Sequence, residues 1–283
     1  MDLGVTLFNS MIKTYQAQGL HLWKREEAYL FLEKDQPDYY LGNQYASPAK
    51  ACYREDAVLT TLTADALSGA TSLTINMSSN MTIGDYIGVV LSDNTLYWTT
   101  IATIPTSTSV TLTAGLSGAS TSGRNVYTFT TLIDKPLRIH SSRRVQGTIS
   151  NPSTNDMSIF SHEQYFSQPN KKTSNTPMMC YYQPRKTYGQ YHIWPASNTA
   201  QTYIEFTMER GILDLDSATD IPDFPDEWTE VLTWQLALRL SVPTGREDKA
   251  AKLAIPLAAD LLEGVKSWDS EVVSITLRPE MGY

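Results

Sequence analysis

Between residues 225 and 242 the apolar positions fall on two faces of a helix. Trp228, Leu232, Leu236 and Leu240 make one row, and Val231, Trp234, Leu238 and Val242 make another. Only Thr229, Glu230 and Thr233 leave a polar strip between them. A surface helix shows one apolar stripe, so this pattern predicts burial on two sides, either in a large core or between the domain and a neighbouring subunit. The entry signal is Ile221-Pro222-Asp223-Phe224-Pro225-Asp226-Glu227. Pro225 suits a first turn and the carboxylates suit the positive end of the helix dipole. After Pro243-Thr244-Gly245 a second helix is expected from Arg246 to Trp268, with a single stripe through Ala250, Ala254, Leu257, Leu261, Val265 and Trp268. Pro256 falls inside it and predicts a kink. Val273, Ile275 and Leu277 then alternate with polar residues, a strand pattern that needs a sheet edge, its own or another protein's.

At the other end, Val5, Phe8, Met11, Ile12 and Tyr15 have helical spacing. Strand-like runs follow at Ala28–Leu32, Tyr39–Gly42, Met178–Pro184, Gln190–Pro195 and Thr202–Thr207. Between Val58 and Ile133 the composition shifts: the charged residues are Arg124, Asp65, Asp85 and Asp93 alone. Short β-branched runs there (72–76, 86–91, 96–101, 109–113, 126–131) are separated by turn clusters. The expected fold is therefore α+β: a helical main domain, residues 1–57 and 132–283, with a C-terminal helix pair (about 225–268), a tail (269–283) and a sheet. Residues 58–131 form an inserted small all-β barrel or sandwich that projects from the main body.

The chain has 283 residues and a net charge of -8. That sign disfavours tight binding to nucleic acid, which needs clustered Lys and Arg. It is unevenly spread. Residues 135–200 carry eight basic side chains against Asp156 and Glu163, whereas seven acidic residues stand between Asp214 and Glu230 without a basic partner in that span. Opposite zones on one chain suit head-to-tail packing of copies. Cys52 and Cys180 lack metal or redox spacing. With no leader pattern and no apolar run near ~18 residues, assembly in a reducing cytosol without membrane contact is expected.

Candidate chemistry is sparse. Ser10-Met-Ile-Lys13 and Ser92-Asp93-Asn94 match two elements of serine acyl-enzymes, but Lys186-Thr187 is followed by Tyr188 where the third element needs glycine. Asp214–Asp220 resembles a calcium loop without its glycine and terminal glutamate. His21, His140, His162 and His192 are scattered. Tyr181, Tyr182, Tyr188, Tyr191 and Trp194 could stack on bases, yet alternating aromatics also fit a half-buried sheet. No catalytic residue, metal or cofactor is expected, and the chain reads as a non-enzyme.

Four blocks carry a family resemblance: Gly19–Leu32, Gly84-Asp-Tyr-Ile-Gly88 with Tyr97-Trp-Thr-Thr100, Pro184–Pro195, and Phe224-Pro-Asp-Glu-Trp228 leading into the helix pair. In that order they resemble the head-to-tail adaptors (head-completion or packaged-DNA-stabilising proteins) of short-tailed bacteriophages. The resemblance implies a structural virion protein at the head–tail interface, assembled in the host cytoplasm. It implies a dodecameric ring below the portal that extends the DNA channel and offers a platform for tail nozzle or fibres. Smaller relatives are mainly helical, so the β insertion is a departure. On this reading Trp228, Val231, Leu232, Trp234 and Leu238 meet the neighbouring copy. The tail (Val273, Ile275, Leu277, Arg278, Tyr283) reaches the portal. Asp214, Asp216, Asp220 and Asp223 line the channel and let duplex DNA slide past without sequence-specific binding. The alternative is a carbohydrate-binding virion or surface protein acting through Tyr97 and Trp98 of the insertion.

Overall fold

The computed structural model describes residues 3–18, 22–42, 50–249, 252 and 254–268. They form two compact units, one from the residues up to Arg25 together with those from Ile212 onward, the other from Glu26 to Gly211.

The larger unit is almost wholly β, and over both units together strand residues make up 37% against 23% helix, which overturns the expectation of a helical main domain. Its centre is β1 (Arg25–Phe31). Further along come β2 (Asp38–Leu41), β3 (Ala51–Tyr53), β4 (Val58–Thr61), β5 (Ser72–Thr74), β6 (Tyr86–Val90), β7 (Leu96–Thr106), β8 (Ser109–Leu112) and β9 (Asn125–Phe129). The remainder is β10 (Arg138–Thr148), β11 (Asn151–Asp156), β12 (Ser158–Ile159), α2 (His162–Phe166), β13 (Ser174–Asn175), β14 (Met179–Pro184), β15 (Gly189–Trp194), β16 (Ala196–Ser197) and β17 (Tyr203–Glu209). The central sheet runs β11-β10-β17-β1-β3, a second β12-β14-β15-β2, and the insertion β4-β9-β6-β7-β8-β5.

These sheets form three layers because β1 is apolar on both faces. Ala28 and Leu30 point to the second sheet, where Tyr39, Leu41, Cys180, Tyr191 and Ile193 meet Ile204, Phe206 and Met208 of β17. Tyr29 and Phe31 point the other way, onto Tyr127, Phe129, Trp98 and Tyr86 of the insertion. Phe31 lies 4.4 Å from Tyr127 and 5.7 Å from Trp98, ring centre to ring centre. The insertion thus packs its own aromatic face on the central sheet, a correction to its expected projection. It keeps a second core on the opposite face, with Leu73, Ile87, Val89, Val110 and Val126. A bridge between Leu62 and Ile75 joins its two edge strands and curls the sheet towards closure. Trp98 crosses β6 at Gly88, where an added Cβ would stand 2.8 Å from the indole.

The smaller unit is helical. In α1 (Leu3–Ala17) the buried residues are Val5, Phe8, Met11, Ile12 and Tyr15, the predicted stripe. A 3-10 turn, Asp226–Trp228, leads into α3 (Thr229–Ser241), followed by the short α4 (Glu247–Lys249) and α5 (Ile255–Trp268). Pro256 is the second residue of α5, and Lys252 and Ala254 just before it are π-helical, an irregularity of the kind that accompanies a proline within a helical run. Among the described residues no helix is long and apolar enough to cross a membrane.

Candidate functional site

In the helical unit burial falls off along α3, from its start to its end, in both apolar rows. Trp228 is 1% exposed and joins Val231 and Leu232 in a core with Phe8, Met11, Ile12 and Tyr15 of α1. Its indole packs at 5.2 Å from Trp23 and 5.5 Å from Phe224, and burial pushes the Tyr15 hydroxyl up to about 12. Three of the five residues expected at an interface therefore lie inside the unit. Trp234 and Leu238 stay half-buried and Val242, next in their row, is 64% exposed. α5 adds exposed Ile255 and Leu257, while its Leu261, Leu262 and Val265 pack against the shared core.

Beside the start of α3 runs an apolar groove of about 190 Å³, lined by Phe8, Pro222, Phe224, Pro225, Leu232 and Leu236, with Ile221 at its edge. Ile221 is 91% exposed. In sequence it is part of the helix entry, and its signal is an isoleucine standing alone in an acidic, turn-rich stretch.

The acidic segment is a hydrogen-bonded loop. Lys13 pairs with Asp214 at 2.6 Å. Asp220 accepts from the Ser217 hydroxyl and from the backbone N–H groups of Asp216 and Ser217, each at 2.8 Å, which holds its carboxyl below the usual range. Asp223 accepts from Leu213 N–H at 3.1 Å. Asp214, Asp216 and Asp220 are exposed and Asp223 half-buried. The tail residues Val273, Ile275, Leu277, Arg278 and Tyr283 lie outside the described residues.

In the β unit the predicted basic zone is partly spent on structure. Arg143 Nε meets Glu205 at 2.9 Å and Arg54 meets Glu205 at 3.0 Å and Glu27, a polar rung beyond the edge of the aromatic layer. Tyr181, Tyr182 and Tyr191 lie in the β14–β15 pair, with Tyr191 wholly buried and donating to or accepting from Ser142 at 2.5 Å. They serve the sheet. Trp98 lies in the aromatic layer and Tyr97 packs against the insertion's core, so neither forms an open platform for a sugar ring. Ser92-Asp93-Asn94 is the β6–β7 turn, with Asp93 bonded to Thr95. His192 bonds Asp38 at 2.5 Å and stacks on Tyr181. Among the described residues no group of three His, Cys, Asp or Glu side chains could hold a metal ion.

Comparison with known proteins gives no match: no family model, no curated protein and no solved structure is similar to this chain.

Proposed function

We propose that the protein is a structural virion component, a head-to-tail adaptor that closes into a ring below a portal, dodecameric in the simplest case. One observation carries the reading: α3 commits Trp228, Val231 and Leu232 to its own core, while among the described residues Trp234 and Leu238 stay half-buried and Val242 stands exposed. Exposed valine beside half-buried tryptophan and leucine on a regular helix suits a contact that recurs between identical copies. The groove at the other end of α3, with Ile221 at its edge, offers a concave counterpart. Exposed Asp216 and Asp220 would give a channel a repulsive lining over a Debye length of about 8 Å, so that duplex DNA slides instead of sticking. The portal, the tail nozzle or fibres are the expected neighbours.

Co-expression of the full chain with the portal protein of the same particle tests this. Co-purification as a complex with a fixed number of adaptor copies is expected. Two separate species at all concentrations would count against it.

A further inference from the structure

The β unit holds a second concavity that plays no part in the ring. Its volume is about 360 Å³, within the ~300–1,000 Å³ usual for small-molecule sites. Four separate segments supply it: Asn94 from the β6–β7 turn, Arg124 just before β9, Gln146 and Asn151 from the β10–β11 hairpin, and Gln201 and Thr202 before β17. Apart from Gly147, every lining residue carries a hydroxyl, an amide or a guanidinium. No carboxylate and no aromatic ring is among them.

Two features point to a ligand. Arg124 is the one cationic side chain between Val58 and Ile133. Its Nη1 donates to Asn94 Oδ1 at 2.6 Å and its Nη2 to the Ser92 carbonyl at 3.2 Å. Both acceptors are uncharged, so its charge is not neutralised by them, and a guanidinium has further N–H donors to offer. Independently, Thr202 is fully buried and its Oγ1 has no hydrogen-bond partner. Buried hydroxyls are nearly always paired, which makes this one an exception in the wall of a polar pocket.

We infer that the pocket binds an acidic sugar residue, with the carboxylate on Arg124 and the ring hydroxyls on Thr202 and the amides of Gln146, Asn151 and Gln201. A bare carboxylate would leave the amides idle. A neutral sugar leaves the guanidinium without a counter-charge, and an acidic peptide brings the carboxylate without adjacent hydroxyls. The inference is independent of the ring.

Titration calorimetry on the full chain with D-glucuronate, D-glucose, acetate and a glutamate-containing peptide tests it. Glucuronate should bind roughly tenfold or more tightly than each of the others, the factor that about 1.4 kcal/mol represents. Thr202→Val keeps the volume and removes a hydroxyl that is unpaired in the free protein. It should weaken glucuronate roughly tenfold while the thermal midpoint holds or rises. Arg124→Lys keeps the charge, loses the fork and should also weaken glucuronate. Absence of saturable glucuronate binding, equal binding of glucose or peptide, or a Thr202→Val variant that binds like the parent would each overturn the assignment.

Discussion

β1 and α3 send the same message in sequence, apolar side chains on two faces, and meet different fates. Both faces of β1 are covered by its own chain, by the second sheet on one side and the insertion on the other. On α3 the cover thins along the helix, from buried Trp228, Val231 and Leu232 to half-buried Trp234 and Leu238 and exposed Val242. The difference lies in supply. The β unit has a whole extra layer to lay over Tyr29 and Phe31, while α1 and α5 together leave Val242 at 64% exposure. Two-sided hydrophobicity therefore signals a buried element, but not which molecule buries it.

Substitutions can break or sharpen that contrast. Phe31→Ala should be the most damaging, at about 3–5 kcal/mol for a buried aromatic, because Phe31 stacks on Tyr127 and Phe129 and contacts Trp98. With two units the chain need not unfold in one step, so loss of hydrogen-exchange protection in β1 and β9 is the proper readout. Protection in α1 that fell equally would show the units to be energetically one.

Gly88→Ala comes next. Its Cβ would press the Trp98 ring at 2.8 Å, and overpacking of this kind costs about 1–3 kcal/mol. Urea denaturation followed by tryptophan fluorescence checks it, and an unchanged midpoint would mean the aromatic layer yields freely.

Glu33 gives a smaller, pH-dependent effect. Burial pushes its carboxyl up to about 6, opposed by hydrogen bonds from the Leu96 and Lys34 backbone. A raised folded value means the folded state binds the proton more tightly, so the contribution favours folding below about 4.5 and is lost as pH rises through about 6. Glu33→Gln should accordingly be near neutral at acid pH and stabilise by about 1 kcal/mol at pH 8 after solvent screening. Thermal melts of both proteins at the two pH values decide it; a gain at acid pH instead would reverse the sign.

Val242→Asp, at a position 64% exposed, should move the free chain least, by about 0.5 kcal/mol or less. A large loss would mean that α3 is already closed within the unit.

Much of this was legible in the sequence, and the failures have definite causes. α1 and the insertion's strands announce themselves through regular spacing and through turn residues at their ends. The β10–β11 hairpin, which completes one edge of the central sheet, did not. Ile139 and Val145, six residues apart, would share a face of a regular strand; a bulge between Ile139 and Ser141 instead sends Ile139 to one core and Val145 to the other. Arg143 in the same stretch looks like part of a solvated basic zone until Glu27 and Glu205 are brought alongside from distant strands, and Arg144 until the Pro177 carbonyl is. The polar pocket was illegible for another reason: its four segments meet only after the layers have stacked.

The central claim is that the open row of α3 is covered by another copy of the same chain. Native mass spectrometry of the portal-bound complex, prepared with the parent chain and with Val242→Asp, tests it most directly. One fixed copy number is expected for the parent, and a scatter of partly filled complexes for the variant, with the melting midpoint of the free chain little changed. If the variant loads the same full complement as the parent, identical neighbours do not cover that row.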